Sequence, residues 1–174
     1  MDSTGSDDRC DECGFEYVLS EAQDAGPAVV ALAGRFGDLL AQPGADLRSR
    51  RKPDTWSPLE YACHVRDVLL VQRERVLAAR RVARLTCEPM GRDERVEHDG
   101  YASQDPADVA RQLADAAGLF ANVLSRLGPD DWGRTVVYVY PRPTERPLRW
   151  VAVHTVHELQ HHLLDTRRQL DLEP

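Results

Sequence analysis

The sequence predicts an all-α protein, a four-helix bundle with one long crossover and a short extended segment before the last helix. Three observations carry this. Apolar residues recur at helical spacing in four long stretches. Two of these stretches open on a capping residue followed by proline, Ser57-Pro58 and Asp105-Pro106, the pairing that starts helices. Only residues 134–140, Arg-Thr-Val-Val-Tyr-Val-Tyr, are β-branched and aromatic in series, too little for a sheet-based fold. At 174 residues and 42% hydrophobic content the chain suits one domain with a real core.

Taken in order, residues 1–9 carry nothing apolar and read as disordered. Cys10-Asp-Glu-Cys13-Gly14 follows, the half-site of zinc knuckles, in which two thiolates grip a metal from a tight turn. A structural zinc at Cys10 and Cys13 stands beside two alternatives, free thiols and a disulfide-capable turn, and Cys87 and His98 are the candidates to complete the set. The acidic segment 1–19 is set apart from a bundle domain over 20–174. The first helix is expected over 27–41, with Val29, Leu32, Ala33, Phe36 and Leu40 in its core stripe, and Pro43-Gly44 ends it. The basic stretch 47–55 reads as a solvated loop.

The second helix is expected over 58–85. Ser57 caps it, Pro58 takes the first helical position without losing a hydrogen bond, and Glu60 completes a capping box. Its arginines, Arg66, Arg73, Arg80, Arg81 and Arg84, are expected to be mostly exposed. Residues 90–104 read as a polar loop and 106–127 as the third helix, stopped by Gly128-Pro129. Pro141, Pro143 and Pro147 keep the chain extended until the last helix begins near Leu148.

Charge narrows the function. Of the 29 acids and 22 bases, eight acids and one base fall in residues 1–25, so the remainder is balanced at 21 of each. The acidity belongs to the N-terminal segment, and without a basic excess nucleic-acid binding has little electrostatic support. No apolar run approaches membrane-spanning length and the N-terminus has no signal-peptide pattern, so a cytoplasmic protein is expected.

The last helix carries the chemistry. Four of the six histidines, His154, His157, His161 and His162, fall within nine residues. Residues four apart share a helix face, so His157 and His161 point the same way and can grip a divalent metal if another element supplies a further ligand. His64, in the second turn of the second helix, is the candidate, giving a three-histidine site with an open position for water. His154 is three before His157 and offers an alternative pair with it, though it reads better as a rim residue. His162, about 100° round the axis, is expected to face solvent or a partner chain. Asp67, one turn after His64, and Asp165, four after His161, read either as carboxylates that hold those rings or as ordinary boundary acids. The run His157-Glu158-Leu-Gln-His161 is also literally HExxH, which in zinc proteases makes Glu158 a general base. The downstream ligand that proteases need is missing, since the chain ends thirteen residues after His161.

Trp56-Ser-Pro-Leu-Glu-Tyr-Ala-Cys-His64-Val-Arg-Asp67, followed by His157-x-x-x-His161-His162-x-x-Asp165, resembles the DinB/YfiT-like family of metal-binding four-helix bundles. The resemblance spans about residues 20–168. It implies a divalent metal, zinc or nickel, held by His64, His157 and His161. It further implies a thiol S-transferase using mycothiol or bacillithiol on a small electrophilic substrate, with a metal-dependent hydrolase and a non-catalytic stress-response module as the other readings. The mycothiol-dependent maleylpyruvate isomerases of this group have Glu as the first member of the pair, and His157 departs from that. A homodimer is implied as well, for which the apolar stretch 136–140 is a candidate surface.

Overall fold

The structure, a computed structural model, describes residues 9–139 and 142–172. Among them five α-helices hold half of the chain's residues: α1 (Ala25–Leu40), α2 (Pro58–Ala79), α3 (Arg92–His98), α4 (Pro106–Ser125) and α5 (Leu148–Gln169). Three short strands, β1 (Leu85–Cys87), β2 (Thr135–Tyr138) and β3 (Thr144–Pro147), form one sheet in that order. The expected disorder of residues 1–9 lies, except for Arg9, outside the described residues, as do Tyr140 and Pro141.

The long helices α1, α2, α4 and α5 make the bundle. α4 and α5 each pack along both α1 and α2, whereas α1 and α2 barely touch and sit on a diagonal. The connections α1 to α2 and α4 to α5 both cross the bundle, one more crossing than the sequence predicts. Between the helices lies a continuous apolar core that includes Val29, Phe36, Leu59, Leu69, Leu113, Phe120, Leu148 and Leu159.

The start of α2 is built as its residues dictate. The Ser57 side chain accepts from the Glu60 backbone N–H at 3.3 Å and the Glu60 carboxylate accepts from the Ser57 backbone N–H at 2.7 Å. Arg50, from the basic loop, closes on the same carboxylate through Nε and a terminal nitrogen at 2.8 and 2.7 Å. The Asp105 side chain caps α4 in the same way, accepting from the backbone of Ala107 and Asp108.

Three expectations are corrected. α2 ends at Ala79, six residues short of the predicted 85, because the chain turns through 80–84, with Arg84 in the left-handed region (φ 51°), and Leu85 enters β1. That strand pairs in parallel with β2, Leu85 opposite Val136. β2 in turn pairs antiparallel with β3, Thr135 opposite Pro147, and β3 runs directly into α5. The protein is therefore mostly helical rather than all-α, and Val136 is buried in the sheet. Residues 90–104 contain α3 and a 3-10 turn at Tyr101–Ser103, which bury Val96 and Tyr101.

Arg66 is buried too. It ties Asp67, Asp99, Gln104 and Gln112 together by hydrogen bonds of 2.7–3.1 Å. A buried guanidinium is tolerable only when so completely partnered.

Candidate metal centre

α5 runs along both α1 and α2, and two of its faces carry histidines. On the face toward α2, His162 lies edge to face against His64 with ring centroids 4.9 Å apart. Trp56 and Tyr61 close around the same two rings, at 4.9 Å from His64 and 5.4 Å from His162 respectively. Glu158, one turn before His162, completes a set in which one ligand atom of each of His64, Glu158 and His162 lies within 4.8 Å of the others. On the adjoining face, His157 and His161 form a set of the same tightness with Cys10 and Cys13.

The expected trio of His64, His157 and His161 is thus not brought together. His157 and His161 do converge, but toward the N-terminal segment, while the pair that meets His64 is Glu158 and His162, one residue further along. Both are i, i+4 pairs, separated by about 100° round the helix. Phe15 and Tyr17 decide between them. Their rings lie 5.2 and 5.3 Å from His157 and cover that face, so the rotation of α5 that suits them turns Glu158 and His162 into the seam with α2. The expected solvent-facing role of His162 is corrected accordingly, and so is the pairing of Cys10 and Cys13 with Cys87 or His98. Cys87 is buried in β1 and His98 is exposed on α3.

The surrounding groups hold these side chains by specific atoms. Asp165 Oδ2 lies 3.2 Å from His162 Nδ1 and 3.5 Å from His161 Nε2, bracing a histidine of each set. His154 stacks on Trp150 at 4.3 Å and presents Nε2 to Glu158 Oε1 at 3.5 Å. The Tyr17 hydroxyl bridges His154 Nδ1 and His157 Nδ1 at 2.9 and 2.8 Å. Asp67 does not reach His64. It receives Arg66, Arg95 and the Tyr101 hydroxyl at 2.8, 3.0 and 2.7 Å on the other side of α2.

Electrostatics follow from this packing. Burial, reinforced by the neighbouring His162, pushes the His64 imidazole down to about 3, so it is neutral and able to ligate. Burial also opposes charge on His162, but the hydrogen bonds to Asp165 and Glu158 outweigh it and hold that imidazole up at about 9. Glu158, despite its burial, is held well below the usual carboxylate range by His162 and His154. A carboxylate that stays ionised while buried, a neutral histidine beside it and a second histidine braced by a carboxylate, which would ligate once the ion displaces its Nε2 proton, are the donor types a first-row divalent ion takes.

One further observation fits a cation here. His64 Nδ1 is buried without a hydrogen-bond partner, an unusual cost for a polar atom.

A narrow cleft of about 90 Å³, lined by Val68, Val71, Gln72, Arg75 and Met90, reaches Glu158 and His154. A larger groove of about 1070 Å³ lies between α2, α3 and α4, and Met90 borders both.

The two histidines of the HExxH run have Cys10 and Cys13 beside them, and Glu158 also groups with His64 and His162 at the seam with α2.

No curated protein matches the chain. Among solved structures, YfiT from Bacillus subtilis, described as a probable metal-dependent hydrolase with an unusual four-helix bundle topology, is similar with a TM-score of 0.73 at 11% identity. The match covers 88% of this chain and 90% of that one, and at this identity it shows the fold. The model of the DinB superfamily matches residues 30–165, a span that includes α2 and nearly all of α5. The chain belongs to the DinB superfamily.

Proposed function

We propose that the protein is a divalent-metal-dependent enzyme whose metal is held by His64, Glu158 and His162, and that it transfers a low-molecular-weight thiol of the mycothiol type to a small electrophilic substrate. The observation that carries this reading is the convergence of those three donors at the seam of α2 and α5. Placing Glu158 rather than His157 in the set also removes the departure from the mycothiol-dependent isomerases, which have a glutamate in that position. When bound, a zinc or nickel ion with an open position would favour the thiolate form of a thiol, or lower the pKa of a water, at neutral pH.

The chain's own residues supply the rest. Asp165 keeps the His162 ring turned so that Nε2 faces Glu158, 3.7 Å away, and His154 steadies Glu158 from the far side. Trp56 and Tyr61 pack against the two histidines. Arg75 brings a positive charge to the cleft that reaches Glu158, which suits an anionic substrate group.

The test is to measure bound metal by elemental analysis, and turnover with low-molecular-weight thiols and a chlorinated aromatic acceptor, in the wild type, His64→Ala and His162→Ala. Loss of one metal equivalent, and of turnover, is expected in the two variants. Unchanged metal content in both would overturn the reading. A hydrolase is the second reading, because the same donors would hold water in the absence of a thiol. It predicts turnover of ester or amide substrates with no thiol added.

A further inference from the structure

We propose that Cys10, Cys13, His157 and His161 form a tetrahedral Cys2His2 zinc site that clamps the N-terminal segment onto α5, separate from the site at His64. The four residues come from two elements distant in sequence, and one ligand atom of each lies within 4.8 Å of the other three. Cys10 Sγ and His161 Nδ1 are 3.7 Å apart across 151 positions of chain. With Zn–S near 2.3 Å and Zn–N near 2.0–2.1 Å, two donors on one tetrahedral zinc stand about 3.6 Å apart. This pair therefore already has the required spacing.

The cysteine turn is built as a knuckle. The Gly14 backbone N–H donates to the Cys10 carbonyl and the Cys10 N–H to the Phe15 carbonyl, both at 2.8 Å. Gly14 sits at φ 71°, a conformation costly for any residue with a Cβ. An antiparallel bridge between Arg9 and Glu16 closes the hairpin behind it.

Each histidine is held by the nitrogen that would not bind metal. The Nδ1 of His157 is occupied by the Tyr17 hydroxyl at 2.8 Å, while its Nε2 is buried with no partner at all. The Nε2 of His161 has carboxylates of Glu12 and Asp165 at 3.4 and 3.5 Å, leaving Nδ1 for the cysteine side. One tautomer chain satisfies every group: His157 Nδ1–H donates to the Tyr17 oxygen, the Tyr17 hydroxyl donates to His154 Nδ1, and His154 Nε2–H donates to Glu158. Binding zinc displaces the two thiol protons, and two thiolates neutralise the ion's charge, so no net charge is left in a half-buried place. Through Tyr17 and His154 the clamp also steadies Glu158, which explains why an N-terminal appendage is folded over this face.

The test uses the full-length protein with zinc content measured and cobalt(II) substituted as a spectroscopic probe. The wild type is expected to show the near-ultraviolet thiolate-to-cobalt charge-transfer band, and Cys10→Ser and Cys13→Ser each to lose that band and one zinc equivalent. The doubly substituted His64→Ala, His162→Ala protein is expected to keep the band, since only the clamp contains thiolates, so the two sites fail or stand separately. His161→Cys, which retains four donors, is expected to keep zinc where His161→Ala loses it, a comparison that does not depend on the serine variants folding. Absence of the band from the wild type, or retention of zinc and band in both serine variants, would overturn the proposal.

Discussion

The rings of His64 on α2 and His162 on α5 meet edge to face with centroids 4.9 Å apart, and this contact marks which pair of α5 residues faces the bundle seam. Everything proposed for the chemistry follows from that register. His157 and His161, which look like the ligand pair in the linear sequence, are turned toward the N-terminal knuckle.

The first prediction concerns Asp165, which touches His162 and His161 on α5. Carboxylates that hold the far nitrogen of a ligating histidine typically affect metal affinity by about 10–100-fold. Asp165→Asn is therefore expected to weaken both metals by a factor in that range, measured by competition with a chromophoric chelator. Weakening of neither would show that its contacts are incidental.

Thiol chemistry separates the four cysteines. Cys63 is fully buried, and that burial pushes its thiol up to about 12, while Cys87 is buried in β1 and also raised. Cys10 and Cys13 are only partly covered. After chelation in native buffer, iodoacetamide is expected to label Cys10 and Cys13 and spare Cys63 and Cys87, as read by peptide mass spectrometry. Adding zinc before the reagent is expected to protect the first two.

The capping box at the start of α2 sets part of the acid stability. Burial tends to raise the pKa of Glu60, but the Arg50 guanidinium and the Ser57 backbone N–H overcome this and hold it below its ordinary value. A carboxyl group whose pKa is lower in the folded state contributes stability above its unfolded value of about 4.3, and loses that contribution as pH falls through the folded value. Glu60→Gln is expected to cost about 1–3 kcal/mol at pH 7, from the stranded Arg50 and the weakened cap. The difference from wild type should shrink as pH drops below about 4.3. Urea unfolding at a series of pH values measures both, and a difference independent of pH would contradict the assignment.

Much of this was legible in the residues, and what was not has physical reasons. The caps at Ser57-Pro58 and Asp105-Pro106 act within one turn, so local chemistry announces them, and both appear where expected. The apolar stripes of the long helices are equally local. Strand β1 is different, because Leu85-Thr86-Cys87 becomes a strand only through β2, about fifty residues away, and nothing in the three residues distinguishes them from the end of α2.

The register of α5 was hidden for a related reason. His157/His161 and Glu158/His162 have identical spacing, and the helix period alone does not say which pair turns inward. A signal was present in Phe15 and Tyr17: two aromatic residues beside a CxxC turn need a surface to cover, and a pair of histidines is the natural complement to two thiolates. Arg66 is buried where exposure is expected because its partners Asp99, Gln104 and Gln112 lie 33 to 46 positions away.

The most direct test of the proposed centre is an anomalous-difference map from crystals of the metal-loaded protein, recorded at the absorption edge of the bound metal. A peak about 2.0–2.2 Å from a nitrogen of His64, a nitrogen of His162 and a carboxylate oxygen of Glu158 is the predicted result. A peak shared by His64, His157 and His161, or density confined to the Cys10 and Cys13 side of α5, would contradict it.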